Sequence, residues 1–516
     1  MLYNQSRKRL HYTCKISGFM FRGRWGSATQ LKGDSTHDYI LYRFSYLIVG
    51  YIVYGRYVEK TFGIKEERTT PAYASQDGID YVPMGKKRNS MIQLLNIAGV
   101  GPIFGPIMGA LYGPVAFLWI VFGSIFAGAV HDYLTGMISL RNNGAHLPQL
   151  AEKFLGRSLR HIVNGFALLL LLLVGTVFVT SPSNMINNLF DGNASTLVFV
   201  VFAIFAYYIL ATLLPVDKII GRIYPFFGAL LMISAIGIGV SLFVQGYQIP
   251  EMTLTNMHPD GLPIWPLLFF TISCGALSGF HATQSPIISR TTMKESNGRS
   301  IFYGMMIVEA VIAMIWAGAA MAIFEPGELL GMIQAGTPAL VVQEVAILML
   351  GSIGGTLAIL GVIVLPITSG DTAFRSARMI IADYLKVAQK NFSSRLWIAL
   401  PLFAISYVLT NMDFQMLWQY FNWANQTTAV IALFVGAMYL YIKGRNHWIA
   451  LIPGTFMLYA VWFYILTAPI GFKMDGIIPY VISTVGTVTL LVLFHMRARA
   501  MRAQNMECDV PVKEVA

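Results

Sequence analysis

Asn96-Ile97-Ala98-Gly99-Val100-Gly101-Pro102-Ile103-Phe104-Gly105-Pro106 lies inside an apolar run from 91 to 111. A run of about 20 apolar residues can cross a bilayer core as a helix. This one cannot be an uninterrupted helix. Its two prolines each remove a backbone donor and clash with the preceding turn. Its three glycines each weaken a helix by about 1 kcal/mol. In lipid the freed backbone groups must find partners, so the break belongs where protein encloses it. There the half-helix ends offer amides, carbonyls and dipoles to a substrate or an ion. Close Gly-xxx-Gly packing against another helix is the competing reading, but paired Gly-Pro steps do more than thin an interface.

A second stretch of this kind reads Ser273-Cys274-Gly275-Ala276-Leu277-Ser278-Gly279-Phe280-His281-Ala282-Thr283-Gln284-Ser285-Pro286. It too is interrupted, and it is rich in hydroxyl and amide groups.

Working outward, the chain is 56% hydrophobic and 12% charged over 516 residues. Soluble domains carry about 25% charged residues. Apolar runs recur at about 39–56, 91–111, 114–139, 158–180, 195–215, 219–246, 263–285, 300–324, 343–369, 396–411, 414–441, 447–468 and 475–496. They are continuous rather than alternating, which predicts about thirteen membrane helices and excludes a β-barrel. The second broken run lies five spans after the first, so the two cross the membrane in opposite directions. That predicts an inverted five-plus-five repeat whose broken helices meet at the binding site.

The net charge of +11 is distributed by loop. Loops after spans 1, 3, 5, 7, 9 and 11 carry Lys and Arg, such as Arg141, Lys153, Arg157 and Arg160 after span 3. Loops after spans 2, 4, 6, 8 and 10 carry none, and the loop after span 12 has Lys473 alone. The basic set is therefore cytoplasmic, together with the C-terminus. This pattern accounts for the charge without nucleic acid. Residues 1–38 dissent: seven basic residues there would lie outside. Either the segment is not part of the native protein, for instance because of an upstream start codon, or span 1, which carries Arg43, is misread. The agreement of the later boundaries favours the first.

The expected organisation is a basic leader at 1–38 and an accessory span with a cytoplasmic loop at 39–90. Repeat 1 then covers 91–246 and repeat 2 covers 263–441. Accessory spans occupy 447–496, and a cytoplasmic tail runs over 497–516.

Charges inside spans are expensive and mark function. Glu309 sits near the middle of span 8 with no cation one helical turn away, so it is the leading proton carrier; a neutral structural acid is the alternative. Asp132 and His281 fall toward the cytoplasmic ends of spans 3 and 7 and are candidates for gating or coupling. His131 and Asp132 are adjacent, so their side chains should point to different helix faces and not form a pair. Asp371 and Arg375 are four apart, which suits a helical ion pair, and Arg378 is expected at the membrane surface as an anchor. Thr368 and Ser369 can offer oxygens to a small cation beside the unwound carbonyls of span 2, or simply bond back to their own helix. Asn422, Asn425 and Gln426 share one face of span 11, which must look inward.

The candidate substrate-binding residues are thus Ala98, Gly99, Gly101, Pro102 and Gly105 from the first break, and Ser273, Gly275, Ser278, Gly279, Thr283 and Gln284 from the second. Asn425 joins them from span 11. Coupling candidates are Glu309, Asp132, His281, Thr368, Ser369 and Asp371. No phosphate loop, zinc spacing or nucleophile elbow occurs, which argues against an enzyme or a self-contained ATP-driven pump. Cys14, Cys274 and Cys508 are too scattered for a disulfide framework or a metal site. No cofactor or metal is expected, and the sequence carries no sign of oligomeric state.

Asp77-Gly78-Ile79-Asp80-Tyr81-Val82-Pro83, Ala98-Gly99-Val100-Gly101-Pro102, Ala127-Gly128-Ala129-Val130-His131-Asp132 and Thr368-Ser369-Gly370-Asp371-Thr372-Ala373 together resemble the carbon starvation protein A (CstA) family. The resemblance runs from about 45 to about 440. It implies a bacterial plasma-membrane secondary transporter of nutrient starvation, for peptides or, in some members, for pyruvate with protons. It implies a LeuT-like fold of the amino acid–polyamine–cation superfamily, with Thr368 and Ser369 supplying the hydroxyls of a cation site. Long members carry further C-terminal spans, and residues 1–38 match nothing in the family. The expected function is import of peptides or a small carboxylate by alternating access, coupled to H+, with Na+ possible as coupling ion. A channel or a nutrient-sensing membrane protein is the alternative; channels usually need pore-lining rings.

Overall fold

The computed structural model describes residues 44–78, 80–190, 192–213, 216–389 and 391–510, without the side chains of 213 and 216–227. Residues 1–38, read above as a leader, lie outside the described set. The described chain is helical. It comprises α1 (Gly55–Phe62, after a π turn at Gly50–Tyr54), α2 (Lys86–Ile97), α3 (Gly101–Gly109), α4 (Ala116–Arg141), α5 (Leu147–Leu155), α6 (Leu159–Leu189), α7 (Ala194–Leu213) and α8 (Val216–Val244). Then follow α9 (Ile264–Thr271), α10 (Gly279–Ser289), α11 (Gly304–Ile323), α12 (Pro326–Leu385), α13 (Phe392–Leu409), α14 (Phe414–Ile442), α15 (Trp448–Thr467) and α16 (Ile478–Ala503). Among the described residues nine helices are long and apolar enough to cross a membrane. The count is ten if α2 and α3, bent by 50°, form one span.

Both sequence breaks are present. α2 stops at Ile97, where Ala98 leaves helical geometry at φ −83°, ψ 64°. Pro102 is the cause: it has no N–H to give the Ala98 carbonyl, so the helix cannot pass through, yet it is tolerated in the first turn of α3. Between α9 and α10, Gly275 takes φ +85°, open to glycine at little cost, and Ser278 is extended. The two breaks touch. A Cβ on Gly101 would sit 2.4 Å from that of Cys274, so only glycine fits there.

Around the breaks, α3 packs on α11, α10 packs on α4 and α14, and α6 runs along α12. Three boundaries differ from the sequence reading. The span expected at 343–369 belongs to a helical stretch from Pro326 to Leu385, kinked at Gly336, Thr337 and Gly351. No proline or glycine interrupts it after Gly370, so helix continues beyond Asp371 and Arg378. The span expected to end at 180 runs to Leu189, because Pro182 is absorbed within α6. Finally, α16 continues to Ala503, turning 497–503 from tail into helix.

Candidate functional site

Unwinding 272–278 frees backbone groups that α14 then satisfies. The Asn425 Oδ1 accepts from the Phe280 amide at 2.8 Å and from the Ser278 hydroxyl at 3.2 Å. Ser273 donates to Asn422 Oδ1 at 2.6 Å, and Gln426 Nε2 donates to the Leu277 carbonyl at 2.9 Å. From α4, Ser124 donates to the Gly275 carbonyl at 2.8 Å. The polar face of α14 is thus interhelical bonding that holds the break open, with Asn425 engaged by protein. Thr283 donates to Phe280 O at 2.6 Å and accepts from Gln284, whose Oε1 is buried without a partner. Gly279 lies against the α14 backbone, where a Cβ would meet Asn425 O at 2.2 Å. In the first break, Gly99 lies under the Phe178 ring, and Gly105 faces the Thr271 carbonyl. Pro102 lies beside Gly275.

Next to the second break lies a group of ionisable side chains with no solvent exposure. His281 Nδ1 is 2.9 Å from Asp132 Oδ2, and its Nε2 is 3.4 Å from Glu309 Oε2. Glu309 Oε1 accepts from the Gly275 amide at 3.1 Å, tying the group to the left-handed residue of the break. Asp132 Oδ1 is 2.8 Å from His131 Nδ1. This last contact corrects the sequence reading, which separated the two neighbours. Consecutive residues diverge by 100° on a helix, but Nδ1 sits close to the imidazole's own Cβ, so a short carboxylate on the next residue can curl back to it. Three helices, α4, α10 and α11, therefore bring Asp132, His281 and Glu309 into one chain of contacts. These residues were separate candidates in the sequence; their pairing spans up to 149 positions and leaves no local signal.

Ser369 of α12 donates to the Leu95 carbonyl at the end of α2, at 2.9 Å, while Thr368 bonds back to Leu365 at 2.7 Å. Thr368 thus bonds back to its own helix, while Ser369 ties α12 to the end of α2. Asp371 and Arg375 stand 3.6 Å apart as the spacing predicts. Among the described residues, no hydrogen bond or ion pair links Asp371 to the His281 group. Arg378 is not a surface anchor: it is 6% exposed and bonds Gln389, which follows the end of α12. The sequence reading missed Gln93 and Asn96. Both are fully buried with unpartnered side-chain amides one turn apart, just before the first break. Their spacing of three inside an apolar helix was the available signal.

Broken helices that touch, a buried ionisable chain beside their contact and a helical bundle long enough to span lipid fit a membrane transporter, and the solved structures agree on the fold. A mutant form of the Eremococcus coleocola manganese transporter matches with TM-score 0.54 and 14% identity over 81% of this chain and 97% of that one. MhsT in complex with L-phenylalanine matches with TM-score 0.54 and 14% identity over 80% of this chain and 99% of that one. Both are LeuT-fold transporters.

The chain belongs to the carbon starvation protein CstA family, whose profile matches residues 39–206, 181–346 and 334–463. An uncharacterized membrane protein of Haemophilus influenzae is 51% identical over 54% of this chain and 89% of that one. The Bacillus subtilis peptide transporter CstA is 26% identical over 90% of this chain and 98% of that one. The Escherichia coli pyruvate/proton symporter BtsT is 29% identical over 55% of this chain and 48% of that one. The Bacillus and Escherichia relatives are named as transporters, not enzymes.

Proposed function

We propose that this chain is a secondary transporter of the bacterial plasma membrane that imports peptides or a small carboxylate such as pyruvate during nutrient starvation. Uptake is coupled to proton entry through alternating access. The observation that carries the reading is the buried Asp132–His281–Glu309 chain bonded to the Gly275 amide at the helix break.

The proton arithmetic is direct. With Asp132 ionised, His281 Nδ1 donates to it, and one proton belongs to either Nε2 or Glu309 Oε2, which face each other at 3.4 Å without a formed hydrogen bond. Adding a second proton there leaves an imidazolium beside a neutral acid; removing the first leaves a carboxylate facing a lone pair. Either change alters the acceptor that Gly275 meets, so proton loading bears on the geometry of the break. The substrate's carboxylate then suits the positive dipole ends of the half-helices. Buried amides of Gln93 and Asn96 add polar partners beside the first break. Ser369 and the Leu95 carbonyl offer the start of a cation cradle, which keeps Na+ as the alternative coupling ion. No cofactor enters this reading.

Thirteen crossings follow if the helical run from 44 to the end of α1, α2–α3, α4, α6 to α8, α9–α10 and α11 to α16 each span once. The packing supports an inverted repeat of α2–α8 and α9–α14. Contacts come in exchanged pairs: α3 with α11 answers α10 with α4, α2 with α8 answers α9 with α14, and α6 with α14 answers α12 with α8. The basic loops support a cytosolic C-terminus.

The test is uptake of labelled pyruvate and labelled alanyl-alanine by proteoliposomes under imposed proton or sodium gradients. Accumulation driven by the proton gradient supports the reading. If neither substrate moves under either gradient, it is wrong.

A further inference from the structure

At the end of the bundle that carries the basic loops, a cavity of about 370 Å³ opens among the segment before α2, the end of α10, the end of α12 and the start of α13. Its lining includes four arginines, Arg290, Arg375, Arg378 and Arg395, against two carboxylates, Asp80 and Asp383. Arg290, Arg375 and Arg378 are 8%, 7% and 6% exposed. Among the described residues no ion pair within 4.0 Å joins any of these arginines to Asp80 or Asp383. Arg375 has Asp371 at 3.6 Å, but its Nε is buried without a hydrogen-bond partner. Arg378 and Arg395 both bond the same neutral residue, Gln389. Arg290 bonds the Gly144 carbonyl and the His146 ring, and its guanidinium carbon lies 5.2 Å from the centre of the Tyr81 ring.

Burying guanidinium groups without counter-charge is costly. The lining has an excess of two positive charges; Asp371 behind it answers Arg375, while Arg290, Arg378 and Arg395 are held by neutral partners, and forked donors left open in this way recognise an anion. The two aspartates limit that excess, which suits a weakly held monoanion that must also leave.

We propose that this cavity is a second carboxylate-binding site, at the cytoplasmic mouth of the path, which takes the substrate's carboxylate after it leaves the helix breaks. It rests on the transport reading above. Arg378 and Arg375 hold the anion, and Arg395 closes the rim.

The test titrates full-length protein in phosphatidylcholine nanodiscs with sodium pyruvate by calorimetry, alongside labelled pyruvate uptake in proteoliposomes. Arg378→Gln and, as a second variant nearer the rim, Arg395→Gln should each weaken binding by about tenfold or more, as loss of a charge-assisted hydrogen bond predicts. Arg378→Lys should retain more. Pyruvate binding that neither glutamine variant weakens, in folded protein judged by size-exclusion and melting, would overturn the proposal. So would binding of inorganic phosphate without pyruvate, or occupancy that appears only when phosphatidylglycerol is added, since these assign the arginines to free phosphate or to lipid. Weakened binding in protein that shows no uptake keeps the cavity site and removes the transport reading. Uptake with unweakened binding does the reverse.

Discussion

The imidazole of His281 and the carboxyl of Glu309 face each other across 3.4 Å, in a place where neither side chain meets solvent. Glu309→Gln preserves size and the acceptor for the Gly275 amide, so the helix break should survive, but it removes the titratable oxygen. Coupling between two sites is typically worth about 1–3 kcal/mol, or roughly 5- to 150-fold in affinity. That dependence of half-saturation on pH should vanish in the variant, and uptake driven by a pH gradient should fall to leak. Substrate exchange without a gradient should continue. Full proton-driven accumulation by Glu309→Gln would remove Glu309 from the coupling path.

Asn425 serves the break from the other side. Its Oδ1 accepts from the Phe280 amide at 2.8 Å and from Ser278 at 3.2 Å. Asn425→Ala leaves a buried backbone donor unsatisfied, at a cost of about 1–3 kcal/mol. Asn425→Asp keeps the acceptor and should behave better. Melting of purified protein in detergent measures the difference. An unchanged Asn425→Ala melting temperature would mean that Asn425 does not hold this segment.

What the sequence made legible follows from local chemistry. Pro102 lacks an amide for Ala98, and Gly275 to Gly279 cannot sustain a helix, so both interruptions were readable, as were the helical class and the family. The i, i+3, i+4 amides of α14 were readable as one inward face, but not their use, because their partners lie about 150 residues away. The same distance hid the meeting of Asp132 with His281. Arg378 was misplaced because an arginine near a span end is usually at the surface, and nothing local announces the packed segment that covers it. Helix ends at Leu189 and Ala503 were missed because the helices outrun their apolar stretches.

Glu295 and Arg141 form a two-pronged pair, Nε to Oε1 at 2.9 Å and the terminal nitrogen to Oε2 at 2.7 Å, with 0% and 3% exposure. Arg141 also donates to the Tyr439 hydroxyl and the Gly63 carbonyl, and the Lys65 amide donates to Glu295. The cluster therefore joins α1, α4, α14 and the segment before α11. Removing one partner of such a buried pair costs about 3–5 kcal/mol. Glu295→Ala should approach the lower figure, because Asp509 stands 4.0 Å from Arg141 and supplies some counter-charge. Chemical denaturation of the variant in detergent checks this; a loss under about 1 kcal/mol would place the pair among weak surface bridges instead.

His146 gives a stability dependence on pH whose sign is fixed by its surroundings. The ring lies in the loop before α5, buried, with Arg290 donating to Nε2 at 3.1 Å. Burial first, and the Arg290 charge second, push its pKa well below the ordinary 6.5. The folded protein therefore keeps this ring neutral where the unfolded chain would take up a proton. Above about pH 6.5 both states are neutral and the residue contributes no slope. As pH falls below that value the unfolded state gains a proton the native state refuses. Stability then drops by up to about 1.4 kcal/mol per pH unit until the folded pKa is reached. His146→Gln retains an acceptor for Arg290 and removes the titration. Its melting temperature should fall less than that of the parent protein between about pH 7 and pH 5.5, with the two curves converging in slope above the ordinary histidine value. Parallel curves throughout that interval would mean that His146 is protonated in the folded protein, and that its bond to Arg290 is not formed.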